Sequence, residues 1–325
     1  MIEKFLSVIA WEFFYRGKPV NSKNKLLQNK LIVCALAVFC CLLWGSAFPS
    51  IKTGYEMFEI GAQDSMSQIL FAGIRFTLAG ILTIIFGSIL QKKFLFPKKG
   101  SWKMVCMLSV FQTMLQYFFF YIGLAHASGV KSSIINGMTT FFAILLACLV
   151  RKQESLSMDK LLGCVLGTAG VIIVSLSSGG VEAGFAFNGE GFILIAAVSY
   201  AISSVLIKEY SAKENPVTLS GYQFLMGGLV MIVIGAAAGG RIHMTTPVGI
   251  ALIVYMALIS SVAYSIWGIL LKYNPVSSVT IYGFSNPIFG ALLSAFFLAE
   301  WDKLNLRYVL ALALVSLGIY VVNRK

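Results

Sequence analysis

Charged side chains are scarce in this chain of 325 residues, since Asp, Glu, Lys and Arg together make up only 12% of it. A soluble globular protein carries roughly 25% charged residues, so half that share could not cover a surface exposed to water. Hydrophobic residues make up 58% of the chain, and its mean hydropathy is +0.85. The composition therefore excludes a water-soluble enzyme, a disordered chain and a nucleic-acid-binding domain. It indicates a protein that crosses a membrane several times.

Side chains that bind metals are equally few. The chain has two histidines and six cysteines, and none of them stands in a CxxC or Cys/His spacing typical of a metal site. All six cysteines fall in apolar segments, where they are expected to pack as small residues. We therefore expect no metal, no cofactor and no disulfide bond.

Long apolar runs, by contrast, are abundant. A helix crosses the hydrocarbon core in roughly 20 apolar residues, and only helices or closed barrels satisfy every backbone polar group in lipid. Because the runs are continuous rather than alternating, they predict helices. The sequence thus predicts an all-α polytopic membrane protein with ten transmembrane helices. The ten spans lie at about 31–51, 67–90, 102–124, 130–150, 160–177, 190–208, 216–238, 248–271, 276–298 and 305–322.

The basic residues divide unequally between the two sides of the membrane that these spans imply. Nineteen lie in the two termini and in the loops after even-numbered spans, whereas five lie on the other side. Because basic loops stay in the cytoplasm, both termini are expected to be cytoplasmic, in a multi-pass protein of a prokaryotic plasma membrane. Residues 1–30 form a basic tail, in which residues 5–15 are either an interfacial helix or unstructured. The net charge of +12 then requires no nucleic-acid partner.

Glycines repeat at the same spacing in two of the predicted spans. Gly73, Gly80 and Gly87 of the second span each fall on a glycine of the seventh when the chain is shifted by 148 residues. A shift of 146 residues aligns seven identical pairs from the third to the fifth span. Such self-similarity indicates an internal repeat. It predicts two five-helix units, residues 31–178 and 190–325.

Each unit contains an odd number of helices, so the second must enter the membrane in the opposite direction. Inverted repeats are the construction of many secondary transporters, which hold their solute near the midplane between the halves. The thirteen acidic residues all fall in predicted loops, in the tail or at span ends, whereas proton-driven carriers relay through buried acids or histidines. We therefore predict facilitated transport or exchange.

Several short motifs are ordered along both halves of the chain. They are Trp44-Gly45-Ser46-Ala47-Phe48, Arg75-Phe76, Glu154 with the run from Gly163 to Gly170, and Ser285-Asn286-Pro287 with Glu300. With these motifs the chain resembles the EamA family of the drug/metabolite transporter superfamily over about residues 31–322. The resemblance implies ten helices in two EamA repeats, and export or exchange of small metabolites such as amino acids. The first repeat departs from the family pattern, because Phe141 stands where the second has Pro287.

Polar side chains occupy corresponding depths in the two halves. Asn136 and Thr140 share one face of the fourth span. The shift of 146 residues maps them onto Tyr282 and Asn286 of the ninth span. A site on a pseudo-twofold axis would need such matched groups, so all four are predicted to bind substrate. The alternative is that they only form hydrogen bonds between helices.

A proline follows directly in the ninth span. Pro287 has no N–H and clashes with the carbonyl group of Gly283, four residues earlier. A loosened helix is tolerated at membrane depth where it lines a cavity. We therefore predict a hinge at Gly283 and Pro287, with a purely structural kink as the alternative.

Aromatic and polar side chains of the other spans complete the predicted cavity. Small-molecule sites typically combine apolar walls with a few polar groups. For each of these side chains the alternative is packing against lipid or a neighbouring helix. The predicted residues are Trp44, Ser46, Gln116, Tyr121, Tyr200, Ser203, Tyr264 and Trp267.

Arg75 is the only charged residue well inside a predicted span. A charge at the bilayer centre costs about 2.5–3.5 kcal/mol on insertion scales and is a functional candidate by default. We predict that Arg75 contacts a substrate carboxylate. The alternatives are that it reaches the membrane surface or bonds carbonyl groups at a helix end.

These features predict a secondary transporter of small metabolites, an exporter or an exchanger, working by alternating access. Aromatic walls, one arginine and no acid suit an amino acid or a similar zwitterionic or neutral solute. The expected partners are the solute and the lipid bilayer, and one copy of the chain suffices for a pathway. An enzyme would need convergent acids, histidines or a metal, and a channel would need a charge ring or a carbonyl filter. The sequence has neither pattern, and both are kept as alternatives.

Overall fold

The computed structural model describes residues 27–61, 63–126, 129–177, 186–243, 246–297 and 306–324. Their regular structure is helical, with no strand within these ranges. The α-helices are α1 (Lys30–Met57), α2 (Ser65–Leu90), α3 (Trp102–Leu108), α4 (Gln116–His126), α5 (Gly129–Leu145), α6 (Met158–Ser177), α7 (Phe192–Tyr210), α8 (Pro216–Ala237), α9 (Pro247–Tyr273), α10 (Val276–Thr280), α11 (Asn286–Phe297) and α12 (Leu306–Asn323). Helical turns extend or join them: 3-10 turns at Lys99–Ser101 and Ile281–Ser285, and π turns at Ser109–Leu115, Leu146–Val150 and Phe187–Gly191.

Seven helical segments of the described chain are long and apolar enough to cross a membrane. Six contain α1, α2, α7, α8, α9 and α12, and the seventh, Lys99–Gly123, contains α3, a π turn and most of α4. The prediction of an all-α polytopic membrane protein is confirmed. The other predicted spans correspond to α5, α6 and the pair α10 and α11. The predicted interfacial helix and Glu300 lie outside the described residues.

Side-chain caps define where several helices begin. The Asn29 side chain accepts hydrogen bonds from the first backbone N–H groups of α1, and Asp64 accepts one from Ser67 in α2. Asn215 and Thr246 cap α8 and α9, and a proline follows each of them. Such caps satisfy N–H groups that have no partner inside the helix, and proline is well suited to the first helical position.

Glycines bring α2 and α8 into close antiparallel contact. Gly73 of α2 faces Gly228 of α8, whereas Gly80, one heptad later in α2, faces Gly221, one heptad earlier in α8. A Cβ atom on Gly80 would lie 2.5 Å from the backbone nitrogen of Leu225. Small residues that allow two backbones to approach are a main source of helix association in lipid. The two glycine series found in the sequence therefore pack against each other.

A second antiparallel pair joins α6 and α12. Gly163 of α6 lies against Gly318 of α12, and Gly170 lies against Ala311. Between these pairs, α1 packs against α9 and α11, while α7 packs against α4 and α5. The helix α9 lies at the centre, and residues 263–271 are buried.

The basic loops meet at one end of the bundle, here named the basic end. The Glu214 carboxylate accepts hydrogen bonds from the Lys98 backbone at 3.0 Å and the Ser101 hydroxyl at 2.8 Å. The Lys208 ammonium donates to the Asn274 carbonyl at 2.7 Å. Burial raises the pKa of Glu214, but hydrogen bonds from Lys98, Asn215 and Ser101 outweigh it and hold that pKa below its ordinary value. The carboxylate therefore stays ionised at neutral pH and ties the loops together.

The loop after α8 lies at the opposite end. The Arg241 backbone N–H donates to the Ser67 hydroxyl at 2.8 Å, and Ser67 belongs to the first turn of α2. Lys98, which follows α2, is at the basic end. The loops after α2 and after α8 therefore occupy opposite ends of the bundle.

Replacing Gly80 by alanine is expected to lower the thermal unfolding temperature, because the new Cβ would collide with the α8 backbone. Overpacking of this kind costs about 1–3 kcal/mol. Gly100→Ala is the matched control, since nothing lies within 4 Å of its added Cβ. Both purified variants should be melted in the same detergent beside the wild type. Equal unfolding temperatures for the two variants would contradict the close contact.

Candidate functional site

A cavity of about 130 Å³ lies between α1, α2, α4, α5, α7, α9 and the junction of α10 with α11. Eleven of the fifteen predicted site and hinge residues line it. They are Trp44, Arg75, Gln116, Asn136, Thr140, Tyr200, Tyr264, Trp267, Gly283, Asn286 and Pro287.

Aromatic rings form one wall of the cavity. The Trp44 ring lies edge-on to Tyr264 and to Trp267, with centroid separations of 5.1 and 4.9 Å. The Tyr200 ring lies edge-on to Tyr264 at 6.3 Å. Edge-on contact is a preferred geometry of aromatic pairs, and it keeps the rings in fixed positions around the cavity.

Tyr117 joins this wall from α4. Its hydroxyl shares a hydrogen bond of 2.8 Å with the Tyr264 hydroxyl. Its ring packs on Phe76 at 4.2 Å, and Phe76 stacks on Phe224 of α8 at 5.3 Å. The contact between α2 and α8 therefore supports the aromatic wall through a continuous set of rings.

Arg75 brings a positive charge to the cavity from α2. Only 3% of the residue is exposed. Its Nη2 atom donates to the Ser260 hydroxyl at 3.1 Å, and the guanidinium carbon lies 5.0 Å from the Phe76 ring centroid. No carboxylate of the described residues forms an ion pair with it. A buried charge without a counter-ion is costly, so this wall of the cavity favours a negatively charged group.

Several cavity residues hold a buried polar atom without a hydrogen-bond partner among the described residues. Buried polar groups are nearly always paired, so a cluster of exceptions around one cavity indicates groups that a solute can satisfy. The atoms are Nε1 of Trp44, Nε of Arg75, Oε1 of Gln116, Nε1 of Trp267 and Oδ1 of Asn286.

Two helices cross at the polar side of the cavity. The Thr140 hydroxyl of α5 donates to the Thr280 carbonyl at the end of α10, at 3.0 Å. An added Cβ on Gly283 would lie 2.8 Å from the same hydroxyl oxygen. Asn136 lies one turn before Thr140 and also lines the cavity. The absence of a side chain at Gly283 therefore permits the crossing.

The predicted ninth span is interrupted next to its proline. Residues Ile281–Ser285 form a 3-10 turn between α10 and α11, and Pro287 is the second residue of α11. Proline is tolerated in the first turn of a helix, where its missing N–H would have no partner. The interruption thus lies just before Pro287, at the residues where the hinge was predicted.

Four predicted site residues do not line the cavity. Ser46 points away from it, and its hydroxyl lies 2.7 Å from the Leu43 carbonyl and 2.9 Å from the Tyr255 hydroxyl. Ser203 is fully buried and donates to the carbonyl of Tyr200 at 2.7 Å. In both cases the hydroxyl bonds a backbone carbonyl of its own helix, which turns it away from the cavity.

The other two residues, Tyr121 and Tyr282, lie away from the cavity for different reasons. Tyr121 is buried behind the wall, with its ring between those of Tyr55 and Tyr117. Tyr282 belongs to the 3-10 turn and packs into the hydrophobic core. A 3-10 turn advances 120° per residue instead of 100°, so Tyr282 does not occupy the position of Asn136, its partner in the repeat.

The sequence prediction missed further lining residues. Phe120 and Thr139 line the cavity. Phe120 lies four positions after Gln116, and Thr139 three positions after Asn136. Residues three and four apart share a helix face, so this spacing could have identified both Phe120 and Thr139.

At the basic end, a carboxylate joins the two predicted units. Glu154 accepts hydrogen bonds from the Lys160 ammonium at 2.9 Å and the Ser277 backbone N–H at 3.2 Å, and it also bonds the Ser277 hydroxyl. Its side chain is 9% exposed. Glu154 follows α5 and Ser277 lies in α10, so these bonds join the two predicted units at the basic end.

Known proteins share the sequence pattern and the fold of this chain. The sequence profile of the EamA-like transporter family matches residues 31–176 and 187–324. A solved crystal structure has the same fold, with a TM-score of 0.71 at 17% identity, covering 89% of this chain and 96% of that chain.

Three relatives are named as uncharacterized transporters. One from Archaeoglobus fulgidus is 26% identical over 307 residues, which cover 92% of this chain and 100% of that protein. YvbV of Bacillus subtilis is 24% identical, covering 89% of this chain and 91% of that protein. The inner membrane transporter YedA of Escherichia coli is 26% identical, covering 87% and 90%. With its family profile matched over most of its length, the chain belongs to the EamA-like transporter family.

Proposed function

We propose that this membrane transporter carries small zwitterionic or neutral metabolites, most of all amino acids, as an exporter or exchanger. The observation that carries the proposal is the buried guanidinium of Arg75, which faces an aromatic cavity and has no carboxylate partner among the described residues. We further propose that it resides in the plasma membrane of a prokaryote with both termini in the cytoplasm, because the basic end would then face the cytoplasm.

The proposed solute fits the cavity by complementary charge. A carboxylate would accept hydrogen bonds from Arg75, which has an unpartnered Nε atom, and bonds of this charge-assisted kind are strong. The faces of Trp44 and Tyr200 offer positions for an ammonium group by cation–π attraction. The lining residues that the structure describes include no carboxylate, so a solute with a positive charge alone would be repelled by Arg75.

The proposed mechanism is alternating access between two inverted halves, residues 31–178 and 190–325. The antiparallel contacts of α2 with α8 and of α6 with α12 support this proposal, because an inverted repeat requires corresponding helices to run in opposite directions. The bonds of Glu154 to Ser277 join the two halves at the basic end, and in the proposed mechanism they break when solute passes there. The interrupted pair α10 and α11 lies beside these bonds and is the proposed hinge.

Arg75→Gln is expected to weaken the binding of amino acids by about 10- to 100-fold, because a hydrogen bond to a charged group contributes about 1.5–3 kcal/mol. The unliganded variant should melt at the same or a higher temperature, because an unpaired buried charge is removed. A thermal-shift screen of amino acids, amino alcohols, nucleosides and sugars measures both effects.

Arg241→Gln, which removes an exposed arginine at the opposite end, is the matched control and should bind like the wild type. Stabilisation of the wild type by organic cations alone would contradict the proposed solute class.

Purified protein in proteoliposomes is expected to show saturable uptake that is accelerated by the same solute inside the vesicle. A pH gradient should change the rate little, because the described part of the lining has no carboxylate or histidine that could carry a proton. Flux that rises linearly with concentration would instead identify a channel. Chemical conversion of the solute would identify an enzyme. Steep dependence on the pH gradient would contradict exchange without protons.

The inverted arrangement predicts that Lys98→Cys and Arg241→Cys react with a membrane-impermeant maleimide from opposite sides of the membrane. Both side chains are exposed, so reactivity should report the side and not burial. A cysteine-free background is needed because Cys106 is exposed. Labelling of both positions from the same side of intact cells would contradict the two inverted halves.

A further inference from the structure

A surface at the basic end combines aromatic rings with ammonium groups. Phe96, Trp102 and Tyr222 lie mutually edge-on, with centroid separations of 5.6–5.7 Å. Phe96 is 60% and Trp102 38% exposed. Three lysines flank these rings: Lys93 in the preceding loop, and Lys99 and Lys103 beside Trp102.

Hydrogen bonds and packing of the loop between α2 and α3 hold the three rings in place. The Tyr222 hydroxyl donates to the Leu95 carbonyl at 3.1 Å, and the Leu95 backbone N–H donates to the Ser88 hydroxyl at 2.9 Å. The Leu95 side chain is 2% exposed and lies against Gly87. The loop between α2 and α3 is therefore anchored at its middle, and the three rings keep their positions.

Positive charge on this surface is not neutralised. Lys93, Lys99 and Lys103 are exposed, and none of them forms an ion pair with a described carboxylate. The carboxylate beside them, Glu214, is buried and is occupied by the Lys98 backbone and the Ser101 hydroxyl. Lys99 lies in the 3-10 turn before α3 and Lys103 in the first turn of α3, so both lie within three residues of Trp102 in the sequence.

Two rows of exposed apolar side chains extend from the three rings toward the membrane interior. In α3 and the π turn after it, Trp102 is followed at spacing four by Cys106 and Val110, both exposed. In α8, Tyr222 is followed at spacing seven by Leu229, which is 48% exposed. The two helical segments pack side by side, since Gly227 of α8 lies against Thr113. Exposed apolar side chains of both segments thus lie on either side of their contact, and this apolar strip is here named the groove.

We propose that this surface binds one anionic phospholipid, with its phosphate at Lys99 and Lys103, its glycerol region against the three rings, and an acyl chain in the groove. Juxtamembrane lysines attract anionic lipids at about 1 kcal/mol each, and Trp and Tyr prefer the headgroup level of a bilayer. A bound lipid would hold the loop between α2 and α3 against α8, at the contact that joins the two halves.

The test uses Trp102 as a reporter in the full-length protein in mixed micelles. Brominated phosphatidylglycerol should quench the fluorescence contributed by Trp102 at a lower mole fraction than brominated phosphatidylcholine. Trp102→Phe identifies that contribution by difference. In the double variant Lys99→Gln/Lys103→Gln, the preference for phosphatidylglycerol should fall about 25-fold, because each of the two lysines contributes about fivefold.

Lys30→Gln/Lys152→Gln is the matched control, because it removes two exposed lysines from the same end but away from the rings. It should retain the preference, and circular dichroism should show all variants folded. Equal quenching by the two lipids in the wild type would overturn the proposal. So would a preference that survives Lys99→Gln/Lys103→Gln, or one that is unchanged in Trp102→Phe.

Discussion

The close contact of α2 with α8 is the constraint on which the rest of the structure depends. A lipid solvent gives little hydrophobic driving force for helix association, so helices associate where small residues allow their backbones to meet. The glycines of both helices provide such a contact, with Gly80 against Leu225 and Gly228 against Gly73. Arg75 and Phe76 lie between those glycines in α2. The same contact therefore positions the charged group of the cavity and supports its aromatic wall.

The cavity is unusual for an apolar bundle because its polar groups are incompletely paired. The Arg75 side chain donates a hydrogen bond to Ser260. Its Nε atom and the side-chain Oδ1 atom of Asn286 have no hydrogen-bond partner among the described residues. Such groups destabilise the empty protein, and a solute that satisfies them lowers that cost. The proposed selectivity for a solute with a carboxylate and the stability of the liganded state would then have the same physical origin.

The two predicted units differ where the first has Phe141 and the second has Pro287. The helix α5 continues through Phe141 as one α-helix, Gly129–Leu145, whereas α10 and α11 are separated by the turn Ile281–Ser285. Proline removes a backbone donor and so favours a break. Of these two corresponding segments, the one in the second predicted unit is therefore broken and the one in the first is continuous at that position. The proposed hinge is this break, and the bonds of Glu154 reach the start of α10, the helix that precedes it.

Composition and hydrophobic runs were enough to predict a helical membrane protein, because the need to satisfy backbone groups in lipid leaves few other folds. Arg75, Asn136 and Asn286 were also identifiable as cavity residues from their polarity and depth. The tertiary structure alone decided the rotation of each side chain about its helix. Ser46 and Ser203 bond their own helices, and Tyr282 turned into the core because a 3-10 turn changes the angle between successive residues. A prediction from sequence periodicity assumes a regular α-helix. It is therefore wrong where packing against a neighbouring helix alters the backbone.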